Sequence, residues 1–506
     1  MKKKNIFIGL LLLLSSVVSA QTYQADWESL SRHNVAPEWF KDAKFGIYFH
    51  WGVYCVPEYE TEWYPRYIYF PWHEIHKYHE KTYGPINEFG YHDLIPLFKG
   101  EKFDAKDWTS LFKKAGARFA GLVAEHHDGF AMWDSEYTPW NAVDMGPEKD
   151  IVGEIGKGVK AQGMKFITTF HHARNLQRYS DPEVRKKEMA RDLGGAERRR
   201  FYQSHFPYYE GTDPATTDDK LKYLYGNMPE EQWCKEVWLP KLEEVINKYD
   251  PDIIWFDSWL DYIPEKYRQA FCAYYFNKAQ ERRKEVTVVC KDEDLPLSVS
   301  VENLENSRKS NLHPIVWETD ETVSYDSWSY TKGLKIKPVR HLIHELIDIV
   351  SKNGVLLLNI SPRASGIIPD DQRNLLLGIG AWLEKYGEAI YDTRPWFTFG
   401  EGPTQQPEGD IKYRQLFDQL QYTAHDFRFT TKGNTIYIIT LGEPVPGSTL
   451  KIQSFAKFYN DGKQKIKSIS MIGTSAKIDW TLDGNGLALS VPDEKYDIST
   501  VYKVEL

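Results

Sequence analysis

Between about Lys44 and Leu358, short apolar runs recur and are separated by longer stretches that repeat every three to four residues. The runs are Phe45 to Phe49, Phe119 to Ala124, Lys165 to Phe170, Ile253 to Phe256, Val286 to Val289 and Val355 to Leu358. They lack strict polar–apolar alternation, which is the signature of strands covered on both faces. The intervening segments read as helices. Asp104 is placed to cap one that buries Trp108, Leu111, Phe112 and Ala115 and stops at Gly116. Asp150 caps a second with Ile151, Ile155 and Val159 on one side and Gly163 at its end, and Leu342, Leu346, Ile349 and Val350 stripe a third that stops at Gly354. Repeated strand–helix units predict an α/β fold, a (β/α)8-like TIM barrel over residues 21–394. After about Thr393, Gly- and Pro-containing turns separate short runs such as Thr435 to Thr440 and Thr500 to Leu506, which predicts a smaller C-terminal β-sandwich over 395–506. The charged, Pro/Gly-punctuated stretch from Arg178 to Gly226, with Arg198, Arg199 and Arg200, reads as an excursion on the barrel whose basic triplet is a solvated face.

The first 20 residues follow a different rule. Lys2, Lys3 and Lys4 precede an apolar run, Ile6 to Val18, that is too short to span a bilayer, and Val18-Ser19-Ala20 offers small residues for cleavage after Ala20. This predicts a signal peptide and a secreted or periplasmic protein without a lipid anchor, since no Cys follows the run. Composition narrows the partners. The 506 residues carry 63 basic against 72 acidic side chains, a net −9 that becomes −12 without the three leader lysines, so nucleic acid is a poor partner. No later segment reads as a membrane span. The 17 Trp, 32 Tyr and 25 Phe suit a cleft that holds flat apolar ligand faces, although most must be core. Cys55, Cys234, Cys272 and Cys290 are too few for a disulfide framework and form no CxxC, so they read as buried thiols. No GxGxxG or GxxxxGK[ST] follows a strand, so the common nucleotide fingerprints are missing.

Chemistry collects where the apolar runs end. Phe49 leads into His50 and Trp51, Ala124 into Glu125, His126, His127 and Asp128, Phe170 into His171 and His172, and Phe256 into Asp257. In a parallel barrel these ends converge on one mouth, where barrel enzymes place their sites. Metal-dependent hydrolysis is one use of such residues, but there is no HExxH and no His-x-His pair on the first strand. Glycoside hydrolysis is the other, and it needs two carboxylates around a sugar-sized gap. Strand alternation puts Ile253, Trp255 and Asp257 on one face, so Asp257 can point into the mouth with Trp255 beneath it as a sugar platform.

Several motifs together carry a resemblance. They are KFGIYFHWG (44–52), Glu62-Trp63-Tyr64, EHHDGF (125–130) with Trp133-Asp134-Ser135, YDPDIIWFD (249–257), Trp317-Glu318-Thr319, and Val350 to Gly354 with Leu356 to Ile360. In this order they resemble the α-L-fucosidases of glycoside hydrolase family 29, over about residues 25 to 400. The resemblance implies a barrel with a C-terminal β-sandwich, and a retaining double displacement with no metal and no cofactor. It implies Asp257 as nucleophile, His50, His126 and His127 as holders of sugar hydroxyls, and Glu62, Trp63 and Trp255 as the rest of the pocket. The substrate would be a fucosylated oligosaccharide or glycoconjugate. By spacing to Trp317, the acid/base falls on Glu305, with Glu302 second and Glu318 and Glu293 as outside candidates; it should sit in a less polar setting than Asp257. The chain departs from the family pattern at Ser258, where many members have Gly, at Asn303, which replaces an Asp, and at Thr168 to Ala173, which leaves the role of His171 open. The alternatives are a retaining glycosidase for a related sugar such as an α-L-galactoside, and a non-catalytic glycan-binding protein.

Overall fold

The computed structural model describes residues 22–178, 220–405 and 420–506, apart from 70–72, 87, 227, 463 and 464. The leader and the centre of the charged excursion, with its arginine triplet, lie outside the described residues.

Eight parallel strands close into a barrel in sequence order: β1 (Phe45–Phe49), β2 (Phe119–Glu125), β3 (Lys165–Phe170), β4 (Ile253–Phe256), β5 (Thr287–Lys291), β6 (Val301–Glu305), β7 (Trp317–Thr322) and β8 (Gly354–Ile360). β8 returns to pair with β1 over five residues, from Phe45–Leu356 to Phe49–Ile360. Six of these strands start from the apolar runs of the sequence; β6 and β7 do not. Their inward residues include Asn303, Glu305, Glu318 and Asp320, so the polar contents of the barrel interrupt the apolar pattern there. The barrel interior is a layer of Tyr48, Phe119, Val123, Ile167, Trp255, Val289, Val301, Val355 and Leu357, distinct from the larger core between strands and helices. The helix caps follow the sequence. Asp104 accepts from the amides of Lys106 and Asp107 before the helix Ala105–Lys114, and Asp150 accepts from Gly153 before Ile151–Ala161. The third helix, Val339–Ser351, ends three residues before Gly354; Asn353 takes the left-handed turn (φ 73°) and Gly354 already opens β8.

From Arg394 onward the chain is antiparallel. One sheet runs β13 (Ser468–Met471), β16 (Val501–Glu505), β11 (Thr435–Thr440), β10 (Phe427–Lys432), β9 (Arg394–Glu401), and a smaller one runs β12 (Thr449–Ile452), β15 (Gly486–Ser490), β14 (Trp480–Asp483). They enclose their own core of Phe427, Phe429, Ile436, Ile438, Leu450, Leu487, Leu489 and Val504. The opposite faces of β11 and β16 pack on the barrel through Tyr437, Ile439 and Val501, which belong to the main core. All four cysteines are buried and unpaired. No helix among the described residues is long and apolar enough to cross a membrane.

Candidate active site

The C-terminal strand ends meet in a small cavity of about 60 Å3. It is lined by His50, Glu62, Trp63, His126, His127, His171, Arg174, Asp257, Lys291, Glu305, Asp320 and Trp328. Eight residues proposed from the sequence as site residues therefore meet there, and the positions of Trp255, Glu302 and Glu318 follow from strand parity.

Asp257 follows β4 and is almost fully buried. Its Oδ1 lies 3.1 Å from Lys291 Nζ, and its Oδ2 lies 3.2 Å from His171 Nδ1 and 3.3 Å from Arg174 Nε. Burial by itself would raise this carboxyl, but Lys291, His171 and Arg174 outweigh it and hold the group well below the usual carboxylate range. Asp257 is thus an anion inside a pocket. Glu305, the last residue of β6, reaches the same ammonium, with Oε2 3.1 Å from Lys291 Nζ. Two oxygens each 3.1 Å from one nitrogen are separated by no more than twice that, 6.2 Å. Glu305 is not in the less polar setting expected of it: its side chain is 46% exposed against 10% for Asp257. The reason is its place at the rim, where β6 ends.

Glu302 is one residue out of phase on the same strand. It points away from the barrel axis and pairs with Lys309 at 3.1 Å, so it does not line the cavity. Glu293 is exposed in the turn after β5. Glu318 is wholly buried below the cavity; its Oε1 accepts from Asn303 Nδ2 at 3.2 Å, and burial pushes its carboxyl well above the usual range. The expectation that Trp255 forms a sugar platform needs correction. It shares a face with Asp257, but two strand residues are about 6.6 Å of depth. Its ring is fully buried in the layer beneath, 4.8 Å from Lys291 Nζ and 6.3 Å from the Tyr48 ring, and it supports the ammonium rather than facing the cavity.

The histidines stand in one wall. His126 lies 5.4 Å from His50 and 4.7 Å from His171 between ring centres, and His127 stacks on Trp63 at 4.0 Å. Burial pulls the first three imidazoles down, His50 and His126 well below their ordinary value, so they are neutral. His172 turns outward between Trp233 and Trp238, as alternation requires. Glu62 closes the far side, its Oε2 accepting from Ser327 Oγ at 3.2 Å and the Trp328 amide at 3.3 Å. Burial raises its carboxyl.

Five lining or supporting residues escaped the reading of the sequence. Lys291 ends β5, two residues past the apolar run. Asp320 lies one step above Glu318 on β7; its Oδ2 accepts from Tyr48 Oη at 3.1 Å and faces Lys291 at 3.3 Å. Burial, with Glu305 and Asp257 nearby, pushes its carboxyl up to about 7 against the pull of Lys291. Arg174 lies between the Trp63 and Trp259 rings, at 4.7 and 4.6 Å, and donates to Ser258 Oγ at 2.7 Å, so the serine that departs from the family pattern gains a partner. Asn359 on β8 accepts at Oδ1 from the His50 amide, and Trp328 faces His50 at 5.4 Å. The signal for Lys291 was available: it follows an apolar run just as the histidines do.

Two carboxyl groups bridged by one ammonium in a compact cavity at a barrel mouth put the protein among the glycoside hydrolases. Comparison with known sequences and structures narrows the class. Residues 10–388 match the alpha-L-fucosidase family, and the chain belongs to that family. It is 28% identical to the tissue alpha-L-fucosidase of Rattus norvegicus, over 96% of this chain and 93% of that one, and 28% identical to the plasma alpha-L-fucosidase of Homo sapiens, over 94% and 89%. The crystal structure of Thermotoga maritima alpha-fucosidase in complex with fucose superposes with a TM-score of 0.71 at 28% identity, covering 95% of this chain and all of that one.

Proposed function

We propose that the protein is an exported, retaining, exo-acting α-L-fucosidase that removes terminal α-L-fucose from glycans. The observation that carries this reading is the pair Asp257 and Glu305, both 3.1 Å from Lys291 Nζ. The two oxygens that face the ammonium are at most 6.2 Å apart, which is compatible with the roughly 5–5.5 Å between the carboxyl groups of retaining enzymes. The small cavity, open at the rim beside Glu305, supports exo action on a single terminal sugar. Trp63 and Trp328 offer apolar walls to a sugar that carries a methyl where most hexoses carry a hydroxymethyl.

In the first step Asp257 attacks the anomeric carbon while Glu305 gives its proton to the departing glycosidic oxygen. The glycosidic bond breaks, and Asp257 becomes a neutral ester. In the second step the Glu305 carboxylate takes a proton from water, the water oxygen bonds to the anomeric carbon, and Asp257 leaves as carboxylate. Lys291 suits both steps. The negative charge beside it passes from Asp257 to Glu305 and back, so one anion faces the ammonium throughout. The histidine wall, with Nδ1 of His50 committed to Asn359, is placed to hold hydroxyls.

Asp257→Gly should lose at least about 10³-fold in turnover of an aryl α-L-fucoside, and azide should restore part of it as a fucosyl azide of inverted configuration. Wild-type enzyme followed by NMR should release the α-anomer first. Near-normal turnover in the variant, or the β-anomer first, would falsify the mechanism. A panel of aryl glycosides separates fucose from related sugars. Glu305→Ala should slow an ether-linked fucoside far more than a nitrophenyl one, whereas Glu302→Ala should slow neither. A mature protein that begins at Gln21, read by mass spectrometry, tests export.

A further inference from the structure

His50, His126 and His171 each bring one ring nitrogen within 4.8 Å of the other two. Hydrogen bonding fixes which nitrogens are free. Asn359 Oδ1 accepts the His50 backbone N–H at 2.9 Å, so that atom is oxygen, and its 2.8 Å contact with His50 Nδ1 requires the proton on Nδ1. The lone pair of His50 is therefore on Nε2. His171 Nδ1 faces the Asp257 carboxylate at 3.2 Å and must likewise carry its proton; its Nε2 is buried without a hydrogen-bond partner. His126 Nδ1 is also buried and unpartnered. Three buried imidazoles thus bring nitrogens close together, and in two of the rings one nitrogen is held by a carboxylate or an amide oxygen. Ligating histidines in metal sites are oriented in this way.

We propose that His50, His126 and His171 bind one divalent transition cation of the zinc class, in competition with the sugar. Imidazole nitrogens select Zn²⁺, Ni²⁺ or Cu²⁺ over Mg²⁺ and Ca²⁺. Nitrogens on a tetrahedral zinc at about 2.0–2.1 Å stand about 3.3 Å apart, so each ring has to move inward by less than about 1 Å. The surrounding charge tolerates a dication: Lys291 and Arg174 are set against Asp257, Glu305 and Asp320. The cation is a rival ligand and takes no part in the glycosidic steps. Its binding does not depend on the fucosidase reading; only the competition with sugar does.

The test is calorimetry of Zn²⁺ into the full-length protein after chelation, with Co²⁺ absorption as a second readout. One site per chain with micromolar or tighter affinity is expected, together with an intense visible Co²⁺ band of tetrahedral type. His126→Gln and His171→Gln, tested separately, should each weaken Zn²⁺ at least about tenfold and dim the Co²⁺ band. Metal-free melting curves establish that each variant is folded. L-Fucose should weaken Zn²⁺ binding, and Zn²⁺ should raise the apparent KM for an aryl fucoside without changing kcat. No saturable binding to the wild type, unchanged binding in both folded variants, or faster turnover with Zn²⁺ would each overturn the proposal. If no fucoside is turned over at all, the fucosidase reading fails while the calorimetric and Co²⁺ results still decide the metal site.

Discussion

At the barrel mouth, Lys291 and Arg174 face three carboxyl groups, Asp257, Glu305 and Asp320. On the flank, where the helix Val339–Ser351 meets β10 of the sandwich, the balance is reversed. Asp348 is met by Lys352 at 2.8 Å, Arg428 at 2.6 Å and Arg308 at 3.5 Å, and Glu345 by Arg308 and His341 at 3.0 Å each. Lys337 joins Glu345 to Glu321. Burial alone would raise Glu345 and Asp348, but these cations outweigh it and hold both far below the usual range. At the mouth, cations run short, and one carboxyl is left near neutrality. A cluster that only joins two domains is compensated in full, whereas one that has to pass a proton is left under-compensated.

The largest effect belongs to the flank. Asp348→Ala leaves Lys352, Arg428 and Arg308 buried around a missing anion and should cost about 3–5 kcal/mol of stability in urea unfolding. Turnover of the folded variant should change little. The sign with pH follows from the depressed values. The contribution of Asp348 and Glu345 is complete above their unfolded values near 4 and is lost as pH falls below that. Wild-type protein should therefore lose stability steeply below about pH 4, and Asp348→Ala should lose less of it. Equal acid sensitivity in the two proteins would show the flank to be less compensated than its geometry indicates.

Lys291→Met reverses the pattern. Three carboxyls lose their shared cation and can relieve the strain by taking up protons, so the stability cost should be smaller than on the flank. Activity should fall by about 10²–10³-fold, the range for losing one preorganised charge contact. The acid limb of the kcat/KM profile should move to higher pH, because Asp257 loses the strongest influence that keeps it ionised. A variant with unchanged activity would detach Lys291 from the chemistry.

This contrast also separates what could be read from the sequence from what could not. The barrel was legible wherever its strands are apolar on both faces. It was illegible at β6 and β7, because Asn303, Glu305, Glu318 and Asp320 point inward and erase the apolar run. The histidine wall and Asp257 were legible because each follows an apolar run directly. Asp320 was missed because its run is broken by polar residues of the same site, and Lys291 was missed although it follows the apolar run Val286 to Val289 by two residues. Trp255 was assigned the right face but the wrong depth, since a period of two carries no information about layers. The flank was invisible: Asp348 and Arg428 are 80 residues apart, and nothing local marks either as a partner.

Asp320→Asn should give the smallest effect and the sharpest test. The folded-state value of about 7 lies above the unfolded value near 4, so the native protein keeps a proton that the unfolded chain has released. Stability is therefore lost as pH rises from about 4 to about 7, opposite in sign to Asp348 and Glu345. Asparagine keeps an acceptor for Tyr48 and cannot ionise. The variant should match the wild type at pH 4 and exceed it by at least about 1 kcal/mol at pH 8. Asp320 touches neither reacting carboxyl directly, so kcat at the optimum should change by less than about tenfold. Superimposable stability curves for the two proteins from pH 4 to 8 would mean that the mouth is not short of positive charge, and the contrast with the flank would collapse.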